Sequence, residues 1–186
     1  MISTADFRNG TIVAMEGDLM QIVDFQHVKP GKGGAFVRTK FKNVLTGRVI
    51  EKTFRSGEKF EEAVVEMQPW QYLYHDGDLY HFMHKDTYEQ MAVGEDIVGD
   101  KSKWLKENMD ATISFHKGRP ISMDVPFFVA LEVVQCDPGF QGDRATGGTK
   151  PAKLETGAVV QVPLFLQQGE IIKVDTRTSQ YIERAG

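Results

Sequence analysis

A single cysteine, Cys136, in 186 residues excludes an internal disulfide and fits a reducing compartment. No nucleophile motif surrounds it, and beside Val133 and Val134 it reads as a small buried apolar residue. The chain also lacks a long hydrophobic run. The longest, near residues 125 to 134, is broken by Glu132, well short of the roughly 18 residues a membrane span requires. Residues 1–8 carry no apolar leader core either, so the sequence predicts a cytoplasmic protein with no membrane partner. Metal and nucleotide chemistry are equally thin. His81 and His84 stand an odd number of residues apart on a strand-like run, which sends their rings to opposite faces. The acids of residues 94–100 have no His or Cys cluster beside them and read as a solvated loop. Gly31-Lys32-Gly33-Gly34 lacks the earlier glycine, the Ser or Thr after the lysine and the following helix of a P-loop. The expectation is no metal, no cofactor and no enzymatic centre.

Helix signals are also scarce, whereas strand punctuation is abundant. Short apolar runs recur between Asn9-Gly10, Glu16-Gly17-Asp18, Thr46-Gly47, Asp76-Gly77, Lys117-Gly118 and Gln168-Gly169. Many short strands with such breaks predict an all-β chain built as small barrels or sandwiches. The cleanest hairpin runs from Gln71 to Met83 about an Asp76-Gly77 turn. One short helix is predicted from Lys101 to Met109, capped by Asp100 or Ser102, with Trp104, Leu105 and Met109 facing inward as the plug of a barrel. Units of about 60 residues account for the spacing better than one large core, with boundaries near Glu62-Ala63 and Phe127-Phe128. That gives domains 1–62, 63–127 and 128–186.

The formal charge of -4 conceals an uneven distribution. Residues 1–63 hold ten Lys or Arg against eight acids, residues 64–127 six against eleven, and residues 128–186 six against seven. Between His27 and Phe60 there are nine basic residues and two acids. Lys29, Arg38, Lys40 and Lys42 belong to that segment, which suits a phosphate backbone held without sequence readout. A partner touched mainly by the N-terminal third fits this better than one coated along the whole chain.

The centre of the basic segment is Lys29-Pro30-Gly31-Lys32-Gly33-Gly34-Ala35-Phe36, flanked by the strand-like runs of residues 21–28 and 35–41. The pattern predicts a β-hairpin with a slim tip carrying one long cation, Lys32, among Pro30, Gly31, Gly33 and Gly34. Together with Lys150-Pro151-Ala152, Gly157, Val162-Pro163, Gly169 and the ending from Ile171 to Arg177, this tip resembles bacterial elongation factor P, and the resemblance extends over essentially the whole chain.

The resemblance implies an SH3-like (KOW-like) N-terminal barrel followed by two OB-type barrels, in an elongated, L-shaped, tRNA-like arrangement. It implies a monomeric, non-enzymatic factor that binds the 70S ribosome beside the peptidyl-tRNA, contacts ribosomal RNA and relieves stalling at consecutive prolines. Lys32 would stand at the loop-tip position directed toward the peptidyl transferase centre, a position that a lysine-modifying enzyme extends in many members. Gly142, Asp143 and Arg144 fall where the family's third-domain loop reaches the exit-site codon, although many relatives have Thr where this chain has Arg144. Tyr181 and Arg184 match positions facing the small subunit. Two alternatives stay open: a paralogue with another ribosomal role, and a general single-stranded RNA-binding OB protein using Tyr72, Tyr74, Tyr80 and Phe82 as a stacking platform.

Overall fold

The computed structural model of the chain describes residues 1–138 and 147–186. It is built almost wholly of strands, in two compact units, Met1–Gln68 with Ser114–Ser122, and Pro69–Ile113 with Met123–Gly186. In the first unit lie β1 (Ile2–Ser3), β2 (Ile12–Met15), β3 (Asp18–Val28), β4 (Phe36–Asn43), β5 (Val49–Arg55) and β6 (Lys59–Glu62). They form one antiparallel sheet in the order β1-β6-β2-β3-β4-β5. Strand alternation fixes its core. On β4 the residues Val37, Thr39, Phe41 and Asn43 turn inward while Arg38, Lys40 and Lys42 turn out. Phe7, Val13, Met20, Ile22, Val37 and Phe41 close the centre.

A second sheet comprises β7 (Glu66–Asp76), β8 (Leu79–His84), β9 (Gln90–Gly94), β10 (Asp110–His116) and β11 (Arg119–Asp124), in the order β11-β10-β7-β8-β9. The β7–β8 hairpin forms as the sequence predicts, with its turn one residue later. Asp76 pairs with Leu79, so Gly77 and Asp78 are the loop residues. Gly77 has φ +59 and Asp78 does not share that region, the pattern of a type II′ turn, which wants glycine at its first central position. Tyr72, Tyr80 and Phe82 are buried, and Tyr72 packs on both of the others. Of the four aromatics considered for stacking, only Tyr74 is exposed, and its ring is covered on one side by His81 at 4.3 Å. His84 packs edge-on against Trp70 instead. Among the described residues there is no group of three or more His, Cys, Asp or Glu side chains arranged to hold a metal.

The helical signal is displaced. The segment after β9 forms α1 (Glu95–Val98), then a 3-10 helix over Gly99–Trp104, and Leu105 is already extended. The acidic stretch read as a loop is thus a helical turn, with Glu95 and Asp96 at its positive end. Met109 lies beyond, in a turn closed by its N–H on the Lys106 carbonyl. Trp104 and Leu105 do turn inward. Trp104 enters the cluster of Val129, Leu131, Val133, Leu154, Val160 and Ile172, residues of the third sheet and its flanks.

That sheet holds β12 (Phe128–Cys136), β13 (Thr149–Leu154), β14 (Val159–Pro163), β15 (Ile171–Asp175) and β16 (Gln180–Arg184), in the order β14-β13-β12-β15-β16. Cys136 is half-buried rather than buried, with its thiol facing the Leu166 carbonyl at 3.8 Å. Lys150 is buried on the core side of β13 and donates to the Asp137 carbonyl. In the β15–β16 turn, Asp175 accepts from Arg177 Nε at 3.1 Å, Nη2 at 2.9 Å and the Arg177 backbone N–H at 2.9 Å. The guanidinium bonds hold its carboxyl below the ordinary aspartate range. A depressed folded-state pKa contributes stability that is complete above the unfolded value of about 3.9 and disappears as pH falls through the folded one. Asp175→Asn is therefore expected to lower the thermal midpoint at pH 7, and the gap to the wild type is expected to close in melts below about pH 4. A gap that stays constant down to pH 2 would assign the loss to packing rather than charge.

Candidate functional site

The β3–β4 hairpin is the longest antiparallel ladder in the first unit, and its last rung is Val28 with Phe36. Residues 29–35 form the tip, and every side chain from Lys29 to Gly34 is exposed. Two constraints shape it. Pro30 fixes one φ, and Gly33 sits at φ +105, a conformation that costs other residues strain. Gly31 and Gly34 have no such requirement: a Cβ on either meets nothing within 4 Å. Their lack of side chains therefore serves no packing within the described residues, and keeps narrow the support from which the Lys32 stem extends.

Below the tip, Arg38, Lys40 and Lys42 project from one face of β4, spaced roughly 6.6 Å apart along the strand. Lys29 and Lys32 are exposed in the tip at the end of the same hairpin, adding two cations to this row. Its partners temper the charge. Arg38 faces Glu51 at 3.8 Å, and Lys52 is bound by Glu16 at 2.9 Å. Lys29, Lys32, Lys40 and Lys42 make no ion pair among the described residues. Cross-strand counting would have shown that Glu51 stands opposite Lys40 and Asp24 on its other side, an alternation that a simple charge count misses. The resulting surface offers single cations at intervals, which suits a phosphate backbone better than a compact anion.

The other predicted residues are not gathered here. Gly142, Asp143 and Arg144 lie outside the described residues. Tyr181 is half-buried against the third-sheet cluster, and burial pushes its hydroxyl pKa up. Its ring thus contributes mainly to the core. Arg184 is exposed, with its guanidinium 4.7 Å from the Phe165 ring and 3.4 Å from Glu170. The sequence reading also overlooked Phe127, Phe128 and Arg177, for which the only available signal was two adjacent phenylalanines at a proposed domain boundary.

Comparison with known proteins covers nearly every residue. Residues 3–60 match the elongation factor P (EF-P) KOW-like domain, residues 65–123 the elongation factor P (EF-P) OB domain, and residues 129–184 the elongation factor P C-terminal domain. Elongation factor P of Thermoanaerobacter sp. (strain X514) is 58% identical over 184 residues, covering 99% of this chain and 100% of the relative. That of Coprothermobacter proteolyticus is 56% identical over 186 residues, with both chains covered in full. Among solved structures, eukaryotic translation initiation factor 5A from Methanococcus jannaschii aligns with a TM-score of 0.54 at 21% identity, over 67% of this chain and 90% of its own. That likeness concerns the fold alone, over two thirds of the chain; with the family matches, the whole chain is all-β, with three consecutive small barrel domains, KOW-like and then OB-type.

Proposed function

This chain belongs to the bacterial elongation factor P family, a family of translation elongation factors, and we propose that it binds the 70S ribosome beside the peptidyl-tRNA and relieves stalling at consecutive prolines by positioning the acceptor end. The observation that carries this reading is Lys32: an exposed ammonium at the head of a slim tip, with a cationic stripe behind it on the same hairpin. The stripe lies along the tRNA backbone through Lys29, Arg38, Lys40 and Lys42, and the tip extends toward the peptidyl transferase centre.

Proline is a poor reactant there. Its nitrogen is secondary and its ring fixes φ, so consecutive prolines hold the nascent chain away from attack geometry. A factor that restores alignment accelerates the step without acid, base or nucleophile, and each ~1.4 kcal/mol of improved positioning is worth about tenfold. On this reading the protein is a monomeric, cytoplasmic, non-enzymatic factor whose domains span 1–62, 63–127 and 128–186. Ribosomal RNA is a further partner, Lys32 is the substrate of a lysine-modifying enzyme, and Gly142, Asp143, Arg144, Tyr181 and Arg184 supply contacts on the small-subunit side. The RNA-stacking alternative has lost its platform, since Tyr72, Tyr80 and Phe82 are core residues.

The test is synthesis of a reporter with three consecutive prolines in a purified translation system, with and without the protein, prepared both recombinantly and from its native host. Relief of the stall supports the reading; no relief from either preparation removes it. The stripe has its own test. Lys40→Ala with Lys42→Ala is expected to weaken ribosome binding and to flatten the slope of log affinity against log salt by about 2, roughly one unit per lost phosphate contact. An unchanged slope would show that these lysines are merely solvated.

A further inference from the structure

Phe127, in a bend just ahead of β12, and Phe128, the first residue of that strand, converge on one guanidinium, with Arg177 Cζ 4.5 Å from the first ring centroid and 5.4 Å from the second. Lys173 Nζ stands 5.1 Å from the Phe128 ring. The rings stay largely in solvent, Phe127 61% exposed and Phe128 46%. Two exposed aromatics beside one another, rimmed by cations, have the composition of a contact surface.

The cluster is held in place by the same polar bonds that close the β15–β16 turn. The Arg177 guanidinium is fixed by Asp175 through Nε and Nη2. Thr176 donates its N–H to the Phe127 carbonyl at 2.8 Å and its hydroxyl to the Pro126 carbonyl at 2.7 Å. The β15–β16 turn is thereby tied to the segment bearing the rings. The guanidinium lies preorganised on an aromatic face, and its Nη1 has no partner among the described residues. Asp175 is buried and taken up by Arg177, and the exposed Glu183 pairs with Lys173 at 3.6 Å. The Arg177 side chain stays half exposed, so ring surface and guanidinium N–H face solvent beside that pair.

We propose that Phe127, Phe128, Lys173 and Arg177 form an RNA-contact site, in which an unpaired base stacks on the exposed Phe127 ring while the free guanidinium edge and Lys173 take the adjoining phosphate. An aromatic face beside a fixed cation fits the two parts of a single-stranded nucleotide, its base and its phosphate, whereas an apolar peptide carries no anion to meet the cations. The inference rests on the ribosome-bound reading above and adds to it a site outside the basic N-terminal hairpin.

The experiment places the photocrosslinker p-benzoylphenylalanine at position 127 of the full-length protein, bound to 70S ribosomes carrying peptidyl-tRNA. Cosedimentation is measured first, with the wild type alongside. If the wild type does not cosediment, the ribosome-bound reading fails and takes this inference with it. If only the substituted protein fails to cosediment, the crosslinker is moved to position 128 and the same outcomes apply. Given cosedimentation, crosslinking to RNA is expected, with the yield falling about tenfold on Arg177→Lys, which keeps the charge but loses the planar fork. Crosslinking to protein alone, no crosslink, or an RNA crosslink indifferent to Arg177→Lys would overturn the site and leave the function of the chain untouched.

Discussion

Lys32→Ala is expected to abolish relief of the triple-proline stall while leaving the fold and its melting temperature unchanged. Nothing in the protein rests on this side chain: it is exposed, in a tip whose neighbours are exposed, and it makes no ion pair among the described residues. Its removal costs the folded state nothing by packing or by charge, so any loss must arise outside the protein. The size follows from the positioning argument. A group that aligns two reactants without joining the chemistry contributes about 1.4 to 3 kcal/mol, which corresponds to roughly ten- to a hundredfold in the rate of the stalled step. Lys32→Arg should recover part of the effect, because it keeps a cation of similar reach but presents a planar fork in place of a compact ammonium. The measurement is the rate of proline–proline bond formation at saturating factor, with circular dichroism melts of each variant as the control for folding. A Lys32→Ala protein that relieves the stall as well as the wild type would sink the role of the tip, even if the family assignment stands.

The tip was legible in the sequence because its physics is local. A proline, three glycines and two alternating runs specify a hairpin and its slim end within about 20 residues, and the β3–β4 ladder with Val28 opposite Phe36 agrees. The charges on β4 were legible for the same reason, since strand alternation alone puts Arg38, Lys40 and Lys42 on one face. Features decided by contacts distant in the chain were not. The β7–β8 turn slipped by one residue because Asp76-Gly77 and Gly77-Asp78 are both acceptable turn pairs, and the ladder chooses between them. Lys150 carried no structural expectation from its neighbours in sequence, yet it stands on the inward register of β13 with Ala152 and Leu154, and a backbone carbonyl accepts from its ammonium. The helix was placed too late because its strongest apolar residue, Trp104, marks the end of the helical segment and not its centre.

That displaced tryptophan sets the second large expectation: Trp104→Ala should destabilise the second unit by about 3 to 5 kcal/mol, the range for deleting a large buried aromatic. Trp104 is 2% exposed and sits among Val129, Leu131, Val133, Leu154 and Ile172, side chains from sheet positions far along the sequence. Around it, Thr156 donates to the Lys103 carbonyl, Lys106 pairs with Glu155 at 3.0 Å, and the Lys103 ammonium stands 5.4 Å from the indole centroid. Those polar links are exposed and individually weak, so they hold the segment in register without replacing the ring. The cavity left by alanine is walled by strands that cannot collapse into it without breaking ladder bonds, which places the cost at the upper part of the range. Urea melts should show a midpoint lowered at unchanged slope, and the thermal midpoint should fall by about 10 °C or more. Trp104→Phe should recover much of the loss, since it retains most of the apolar volume. A Trp104→Ala protein within 1 kcal/mol of the wild type would mean that the third-sheet core closes without the indole, and that the 3-10 segment is an ornament on the unit and not part of its core.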